Sequence, residues 1–350
     1  MAIYKLYPTK DASIYSQYPD MNTGLDAILD ASAYLYSGVP YVSRYLIQFS
    51  TNQITDVINS KISGSSFVSY LKNYAALVSG LTLDTTMEIH PVSQSWGMGT
   101  GHCGDNPEVD NGVSWIWRDY SGSVAWNVTG GEYYNSPAYT YAFDYENPLD
   151  ISVDVTTTVV LWYSGSMNNN GFLLKLPDSK EFVENPNNNI TCRYFSFDTN
   201  TIYPPQLEFK WVDYNFNTGS STNTILSTLE TFVSLYNNEK VYHSGSLIRF
   251  RIAAIPKYPT RSFQTSSYYG TNFYLPESQS LYALKDAETN DYVINFDSDY
   301  TRISADSTSS YFDLYTDGLE PERYYNVLIK TTIGGITKVF NEDLLFKIET

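Results

Sequence analysis

The chain has 350 residues, of which 17% are charged and 16% are aromatic, and its formal net charge at pH 7 is −17. This length allows two domains of ordinary size, and a charge-poor, aromatic-rich composition excludes a disordered chain. Phosphate backbones would repel so acidic a chain, so nucleic acid is not expected as a partner. No apolar run reaches the ~18 residues that a membrane span needs. Tyr, Val, Ile, Thr and Phe favour pleated surfaces, so the composition predicts strands over helices.

Residues 2–49 alternate and break like β-strands, with a turn at Asn22-Thr23-Gly24. Residues 51–62 change to a helical period and are followed by Gly64, which predicts one short helix. The expected core positions of the opening strands are Ile3, Leu6, Ile14, Tyr15, Leu46, Ile47 and Phe49.

The rest of the first half predicts strands and loops only. Residues 74–78 and 81–89 are predicted as neighbouring strands with Gly80 between them, and residues 97–112 as a loop. Apolar residues alternate through 150–162, which predicts another strand. The last predicted strands of this half are 171–175, 193–197 and 207–211.

A stretch rich in Gly, Ser, Thr and Asn at 215–224 predicts a linker between a domain at 1–214 and a domain at 225–350. About seven apolar runs in the second domain fit an immunoglobulin-like sandwich. The spacing from Leu319-Glu320-Pro321 to the pair Tyr324-Tyr325 resembles the tyrosine corner of fibronectin type III domains. The pair leaves the register open, and Tyr325 fits best. The seven predicted strands lie near 229–236, 246–254, 280–284, 291–296, 310–316, 324–332 and 337–348.

The first 213 residues carry short motifs whose order and spacing resemble the DNRLRE domain family of non-catalytic, jelly-roll-like modules. The resemblance implies a jelly-roll-like β-sandwich for the N-terminal domain. With the short helix and the C-terminal immunoglobulin-like β-sandwich predicted above, the expected fold class is all-β. The motifs are Asp11 with Ile14 and Ser16, Asn22 with Gly24, Arg44 through Phe49, Pro91-Val92-Ser93 before Ser95-Trp96, Val155 through Trp162, Gly171 through Lys175, and Arg193 through Asp198 before Pro205 and Leu207.

The whole layout is similar to virion structural proteins of tailed phages, particularly marine and cyanobacterial ones. That resemblance implies a non-catalytic component of the neck, tail, baseplate, fibre or head, present in several copies or as a homo-oligomer among other virion proteins. No secretion signal is visible, so we expect synthesis in the host cytoplasm and free thiols at Cys103 and Cys192. The alternative is a carbohydrate-binding protein that recognises a glycan of the host surface.

The candidate contact residues are Trp115, Trp117 and Trp126, which crowd together with Trp96. One interpretation is an aromatic platform for a partner protein or a glycan, since Trp is enriched in interface hot spots. The other is a sandwich core, because a buried Trp needs only one hydrogen-bond partner. Trp115 and Trp117 would share a face on a strand, and the core interpretation is favoured.

Residues 99–104 match G-x-G-x-x-G, but no helix follows, so a loop is predicted and not a dinucleotide site. His102, Cys103, Asp105 and Asp110 are possible metal ligands without the paired spacing of structural zinc. No cofactor or metal is therefore predicted, although calcium at the acidic loop of Asp105, Glu108 and Asp110 stays open.

Catalysis has little support in the sequence. The three histidines are His90, His102 and His243, and no Gly-x-Ser-x-Gly elbow accompanies them. Paired carboxylates for glycoside hydrolysis stay open, because their separation is spatial. The sequence therefore predicts a chain that is not an enzyme.

Overall fold

The computed structural model divides the chain into two compact units. The N-terminal unit comprises Lys5–Gly64 and Val68–Phe209, and the C-terminal unit comprises Met1–Tyr4, Ser65–Phe67 and Lys210–Thr350. The structure describes residues 2–82, 84–105, 107, 109–143, 148–219, 225–236, 238–258, 272–341 and 344–350.

Part of the predicted linker, residues 220–224, lies outside the described residues. The other part, residues 215–219, belongs to the C-terminal unit. There the backbone N–H of Asn217 donates to the carbonyl of Ala305 (2.9 Å).

Strands make up most of the regular structure up to residue 211, which agrees with the predicted all-β class. The helices are α1 (Thr51–Asp56), α2 (Thr156–Tyr163) and α3 (Asp178–Glu181), with a π-helical turn at Val57–Ile62 and a 3-10 turn at Pro186–Asn188. The strands are β1 (Ala2–Leu6), β2 (Lys10–Tyr15), β3 (Ile28–Asp30), β4 (Ala33–Tyr36), β5 (Val39–Gln48), β6 (Phe67–Asn73), β7 (Ala75–Ser79), β8 (Thr86–Pro91), β9 (Trp117–Asp119), β10 (Val124–Ala125), β11 (Tyr139–Ala142), β12 (Ile151–Asp154), β13 (Phe172–Lys175), β14 (Thr191–Phe195) and β15 (Gln206–Trp211).

These strands form several sheets. One sheet has the order β11-β8-β13-β5-β2, with β4 also paired to β5, and a second has the order β1-β15-β6-β12. A third sheet has the order β3-β14-β7, and β9 and β10 form a hairpin. Ile14, Leu46 and Leu173, from three strands of the first sheet, pack in one buried cluster with Trp96 and Trp126.

The short helix predicted at 51–62 is confirmed. Its side chains Ile54, Val57, Ile58 and Ile62 are all buried, as the helical period requires. The helix continues from α1 into the π-helical turn, and the chain leaves it at Ser63 and Gly64, where φ is positive at both residues.

The predicted strand over 150–162 is wrong beyond Asp154, because α2 begins at Thr156. The carboxylate of Asp154 accepts a hydrogen bond from the backbone N–H of Thr156 (2.9 Å), which satisfies one of the free donors at the helix start. Trp162 is buried and packs on Phe172 with ring centroids 4.7 Å apart. Tertiary packing has overridden the strand preference of the β-branched residues.

The predicted strand over 81–89 is also wrong in part, because β8 starts only at Thr86. A turn precedes it, in which the backbone N–H of Thr85 donates to the carbonyl of Thr82 (2.9 Å). β7 pairs with β14, whereas β8 pairs with β11 and β13. The two strands are therefore not neighbours.

The C-terminal unit has ten strands among its described residues after residue 211, where the sequence predicts seven. The short strands β17 and β21 were missed, and the predicted strand over 337–348 is divided into two. The ten are β16 (Thr231–Tyr236), β17 (Val241–His243), β18 (Leu247–Pro256), β19 (Ser280–Asp286), β20 (Tyr292–Ile294), β21 (Ser304–Ala305), β22 (Ser310–Tyr315), β23 (Tyr324–Ile333), β24 (Ile336–Phe340) and β25 (Leu345–Glu349).

These ten strands form two sheets. One has the order β16-β18-β22-β21, and the other has the order β17-β25-β23-β19-β20, with β24 also paired to β23. β17 runs parallel to β25, and the other pairings with a described register are antiparallel. One buried cluster takes side chains from both sheets, and within it Tyr282 stacks on Phe312 with ring centroids 4.3 Å apart.

Tyr325 makes the hydrogen bond that a tyrosine corner requires. Its hydroxyl donates to the carbonyl of Glu320, five residues upstream, at 3.1 Å. Tyr325 is 2% exposed, whereas Tyr324 is 53% exposed. The choice of Tyr325 over its neighbour is therefore confirmed.

Candidate binding sites

The Gly-rich loop at 99–104 is built around the buried amide of Asn22. The side-chain N–H groups of Asn22 donate to the carbonyls of Met98 (2.7 Å) and Val113 (2.8 Å). Its oxygen accepts from the backbone N–H of Gly101 (2.9 Å). At Gly99, φ is +83° and an added Cβ would lie 2.3 Å from that same oxygen. These glycines therefore allow close packing of the loop, and no helix start follows them.

A second family-motif residue, Arg44, belongs to a buried cluster of charges. Its guanidinium donates to both carboxylate oxygens of Glu181 (2.8 and 2.6 Å) and to the carbonyl of Gly130 (2.9 Å). The ammonium of Lys175, also fully buried, lies 2.7 Å from Asp178 and 3.7 Å from Glu181. The cluster thereby compensates charges that burial would otherwise make costly.

Two of the three candidate tryptophans are held by neighbouring residues. Trp126 is a core residue, and its indole N–H donates to the carbonyl of Ser114 (3.1 Å). Trp115 is half-buried and lies under the guanidinium of Arg44, 5.2 Å from it. Trp115 precedes β9, so it does not share a strand face with Trp117.

Trp117 is the third candidate and is also half-buried. Its indole N–H donates to the carboxylate of Asp20 (2.8 Å), and its ring meets Tyr120 edge to face at 5.4 Å. The structure therefore does not bring the three tryptophans together as one exposed platform.

The histidines lie apart from one another. His90 stacks on Tyr133 with ring centroids 4.3 Å apart, His102 lies 3.5 Å from the carboxylate of Asp26, and His243 is exposed on β17. No imidazole ring of the three hydrogen-bonds to a Ser, Thr or Cys side chain of the described residues; the hydroxyls of Ser246 and Thr316 contact His243 only at its backbone carbonyl, to which they donate. Within those same residues, no group of three His, Cys, Asp or Glu side chains could hold a metal ion. Glu108, one of the residues considered for calcium, lies outside the described residues.

An open pocket of about 440 Å³ lies in the N-terminal unit, near the Asn22 loop. A volume of about 300–1,000 Å³ is typical of small-molecule sites. The side chains that line it include Tyr15, Asp26, Asp30, Leu77, Cys103 and Arg193. Tyr15, which the sequence predicts as a core residue, is only partly buried because it lines this opening.

Hydrogen bonds hold two carboxylates in place at this pocket. Both oxygens of Asp26 accept from the backbone N–H of Cys103 (3.0 and 3.2 Å). Asp30 is buried, and its carboxylate accepts from Arg193 Nε (2.9 Å) and from the hydroxyl of Ser43 (2.7 Å). The pocket therefore presents fixed acceptors and one cation.

Burial is the main cause of the pKa shifts in the pocket. It raises the pKa of Asp26, against the hydrogen bond from Cys103 and the neighbouring His102. Burial and the nearby carboxylates of Asp26 and Asp30 raise the pKa of the Cys103 thiol. Cys103 and the buried Cys192 are both free, as the sequence predicts. Cys103 is therefore not activated as a nucleophile.

Tyrosines cluster beside this pocket. Tyr34 and Tyr41 pack with ring centroids 5.7 Å apart, and the hydroxyl of Tyr34 donates to the side chain of Gln17. Burial, then the neighbouring Tyr18 and Asp30, raises the pKa of Tyr34. We call Tyr18, Tyr34 and Tyr41 the tyrosine rim.

A second surface lies on the outer side of the sheet β16-β18-β22 in the C-terminal unit. Phe232 and Tyr236 are 58% and 56% exposed on the edge strand β16. Phe232 pairs across the strands with Ile255, and Tyr236 pairs with Arg251. We call this surface the β16 face; it comprises Phe232, Tyr236, Leu247, Arg249, Arg251, Ile255 and Tyr311.

Arginine–tyrosine contacts organise the centre of the β16 face. The guanidinium of Arg249 lies 4.1 Å from the ring centroid of Tyr311 and donates to both carboxylate oxygens of Asp313 (2.8 and 2.7 Å). Arg251 approaches the same ring at 5.8 Å and is bound to Asp306 in the same two-bond manner (both 2.9 Å). Ion pairs therefore fix both guanidinium groups on this surface.

Sequence reasoning missed both the pocket and the β16 face. The pocket takes its residues from positions far apart in the chain, such as Tyr15, Leu77 and Arg193. The only local signal was the density of tyrosines between residues 15 and 41. The only sequence signal of the β16 face is the alternation of side chains along β16. Phe232, Ser234 and Tyr236 are exposed, whereas Val233 is buried.

No protein-family model and no curated protein matches the chain. A DUF4785 family protein from Legionella pneumophila subsp. pneumophila aligns at 9% identity, over 100% of this chain and 68% of the other, with a TM-score of 0.17. A protein described as a beta-galactosidase from Bacteroides fragilis aligns at 9% identity, over 97% of this chain and 41% of the other, with a TM-score of 0.19. TM-scores this low carry no argument about fold or function. In the described part of the chain, each helix is too short or too polar to cross a membrane.

Proposed function

We propose that this chain is a non-catalytic structural component of a tailed-phage virion that acts through protein–protein interfaces. The observation that carries the proposal is the β16 face, on which aromatic, aliphatic and arginine side chains are exposed or partly exposed around the buried ring of Tyr311. Tyr, Trp and Arg dominate the residues that contribute most to interface affinity. The sequence resemblance to virion proteins is the reason for proposing a phage particle as the assembly. The partners would be other virion proteins and further copies of this chain.

The proposal includes an immunoglobulin-like C-terminal domain. Two sheets with the orders β16-β18-β22-β21 and β17-β25-β23-β19-β20 support it, because they match strands A, B, E, D and strands A′, G, F, C, C′ of that fold. The Tyr325 hydrogen bond lies on the strand that corresponds to F, where the tyrosine corner is expected. A jelly-roll-like sandwich in the N-terminal unit remains part of the same proposal.

Cryo-electron microscopy of particles from the source organism tests the proposal. We expect density for this chain at symmetric positions on the head, neck or tail, with the β16 face against a neighbouring protein. Particles that lack the chain, or that leave the β16 face in solvent at every copy, would refute it.

A charge placed on the β16 face should weaken assembly. Phe232→Asp is exposed enough to be tolerated by the fold, and loss of a hot spot of ~2 kcal/mol corresponds to about 30-fold weaker association. The matched control is Ile336→Asp, which replaces an equally exposed apolar residue on β24. Incorporation into particles, measured by quantitative mass spectrometry, should fall only for Phe232→Asp; equal incorporation of both variants would contradict the role of this face.

Carbohydrate binding is the second candidate function. It no longer depends on the three tryptophans, since Trp126 is in the core and Trp115 and Trp117 are only half-exposed and held by other residues. The observation that favours it is the pocket beside the tyrosine rim.

A further inference from the structure

The pocket beside the tyrosine rim combines hydrogen-bond acceptors, a donor and one aromatic ring, that of Tyr15, around one opening. Asp26 and Asp30 are acceptors, while Arg193 is a donor whose side chain is about half exposed. In the described part of the chain, the Arg193 guanidinium is engaged only through Nε, with Asp30. Its remaining N–H groups are therefore available to a ligand.

The charges of the pocket restrict which ligand fits. A ligand carboxylate would meet two protein carboxylates against one guanidinium, and that guanidinium is already paired with Asp30, so the pocket disfavours an anionic ligand. A hydroxyl can donate to Asp26 and accept from Arg193, so a ligand that carries several hydroxyls suits both groups without a charge of its own.

The aromatic residues add a requirement for an apolar face. Tyr15 lines the pocket, whereas Tyr34 lies outside the lining. Burial is the main cause of the raised pKa of Tyr34, but Asp30 and Cys103 are close enough to contribute to it, and Tyr41 packs on Tyr34. A tyrosine ring offers a large, rigid apolar surface with a polar end. A pyranose presents C–H groups on its faces, which can pack on the tyrosine ring, and hydroxyls at its edge, which can hydrogen-bond to the polar groups of the pocket.

We propose that this pocket binds a neutral sugar unit, with Asp26 and Arg193 contacting its hydroxyls and Tyr15 its apolar face. The inference rests on the second candidate function and gives it a location and a ligand class. It is independent of assembly through the β16 face, which belongs to the other unit.

The chain contains its own reporter of occupancy. Cys103 lines the pocket with an exposed thiol, while Cys192 is buried, so iodoacetamide should alkylate Cys103 selectively in the folded 350-residue chain. The reaction needs alkaline conditions, because the pKa of the Cys103 thiol is raised. A bound sugar should slow the reaction by the factor 1 + [L]/Kd, which is about tenfold at nine times Kd.

The probes are the methyl glycosides of glucose, galactose, mannose and N-acetylglucosamine, with methyl glucuronide and glucosamine as the anionic and cationic comparisons. Mass spectrometry measures the alkylation rate of Cys103, and saturation-transfer NMR measures direct contact with each probe. We expect at least one neutral glycoside to protect Cys103 and to give a transfer signal, and the anionic probe to bind at least tenfold more weakly than that glycoside.

Two variants on one strand control for indirect effects. Leu77 is 50% exposed on β7 and lines the pocket, so Leu77→Trp should fill the space and abolish binding. Ser79→Trp adds the same ring to an exposed position of the same strand outside the pocket lining, and should leave binding unchanged. Circular dichroism checks that both variants are folded, and Asp26→Asn, which keeps one oxygen for the Cys103 N–H, gives a second variant that should weaken binding.

The inference is overturned if no neutral glycoside protects Cys103 or gives a transfer signal. It is equally overturned if Leu77→Trp and Ser79→Trp bind alike, or if the anionic probe binds as well as the neutral ones. If sugars bind but Leu77→Trp has no effect, carbohydrate binding stands as a function while this location fails. None of these results bears on particle incorporation, so the two functions are tested separately.

Discussion

Removing one partner of the buried ion pair between Arg44 and Glu181 should destabilise the N-terminal unit strongly. The carboxylate of Glu181 is fully buried and accepts two hydrogen bonds from the guanidinium of Arg44. Arg44→Met leaves the buried Glu181 only the longer contact with Lys175 (3.7 Å), and Glu181→Met leaves the guanidinium of Arg44 without its carboxylate. Breaking a buried pair in this way costs about 3–5 kcal/mol. We therefore expect Arg44→Met and Glu181→Met each to lower the free energy of unfolding by that amount.

The double variant distinguishes an ion pair from two unrelated contacts. Arg44→Met with Glu181→Met removes both charges, and Lys175 keeps its contacts with Asp178 (2.7 Å) and Glu88 (3.3 Å). The main remaining cost is the lost hydrogen bond from Arg44 to the carbonyl of Gly130, which lowers the free energy of unfolding by ~1 kcal/mol. The double variant should therefore be more stable than either single variant, with a coupling energy of at least about 3 kcal/mol.

Urea unfolding followed by tryptophan fluorescence is the appropriate assay. Five of the six tryptophans, all but Trp211, lie in the N-terminal unit, so the signal reports mainly on it. With a slope of ~2 kcal/mol per M, the single variants should lower the urea midpoint by about 2 M. Lys180→Met, which breaks a surface pair with Asp84, is the control and should leave the midpoint unchanged. Single-variant losses that simply add in the double variant would refute the reasoning.

Two further matched pairs test residues whose roles are structural. Tyr325→Phe removes the hydroxyl bound to Glu320 and should cost the C-terminal unit ~1 kcal/mol in thermal unfolding, whereas Tyr324→Phe should cost nothing measurable. Gly99→Ala and Gly104→Ala both place a side chain at positive φ, at about 1–2 kcal/mol. Only Gly99→Ala also drives a Cβ into the Asn22 amide, so it should be the more destabilising of the two; equal losses would contradict the packing described for this loop.

Local patterns predicted those parts of the fold whose structure is decided locally. The helical face at 51–62 and the choice of Tyr325 follow from spacing alone, and both are confirmed. The helix Thr156–Tyr163 could not be predicted in this way, because its Thr and Val residues favour strands. It forms because Asp154 caps its first turn and Trp162 packs on Phe172, and the second contact is visible only in the folded chain.

The candidate sites were harder to predict for the same reason. A cluster of tryptophans in the sequence indicated a platform or a core, and burial could decide between them only after folding. Asn22 and Arg44 carried a family resemblance, but their buried partners, such as Glu181, lie up to 137 residues away. Tyr15 and Arg193 line the same pocket although they lie far apart in the sequence, and hydrophobic periodicity does not reveal contacts between such distant positions.

Asp11, the first residue of the family motif, should make the stability of the N-terminal unit depend on pH. Burial raises its pKa from 3.8 to about 7, against hydrogen bonds from the N–H of Phe197 (2.7 Å) and the hydroxyl of Ser196 (3.2 Å). Between these two values the folded chain holds a proton that the unfolded chain has released, so the free energy of unfolding falls as pH rises. At 1.36 kcal/mol per unit the loss amounts to roughly 4 kcal/mol, complete above pH ~7. The Asn side chain of Asp11→Asn cannot ionise and keeps an oxygen that accepts from the N–H of Phe197. The free energy of unfolding of this variant should therefore increase relative to that of the unsubstituted chain as pH rises. Urea midpoints of both proteins, measured from mildly acidic to mildly alkaline pH, test this; a constant difference would show that Asp11 does not carry the proton.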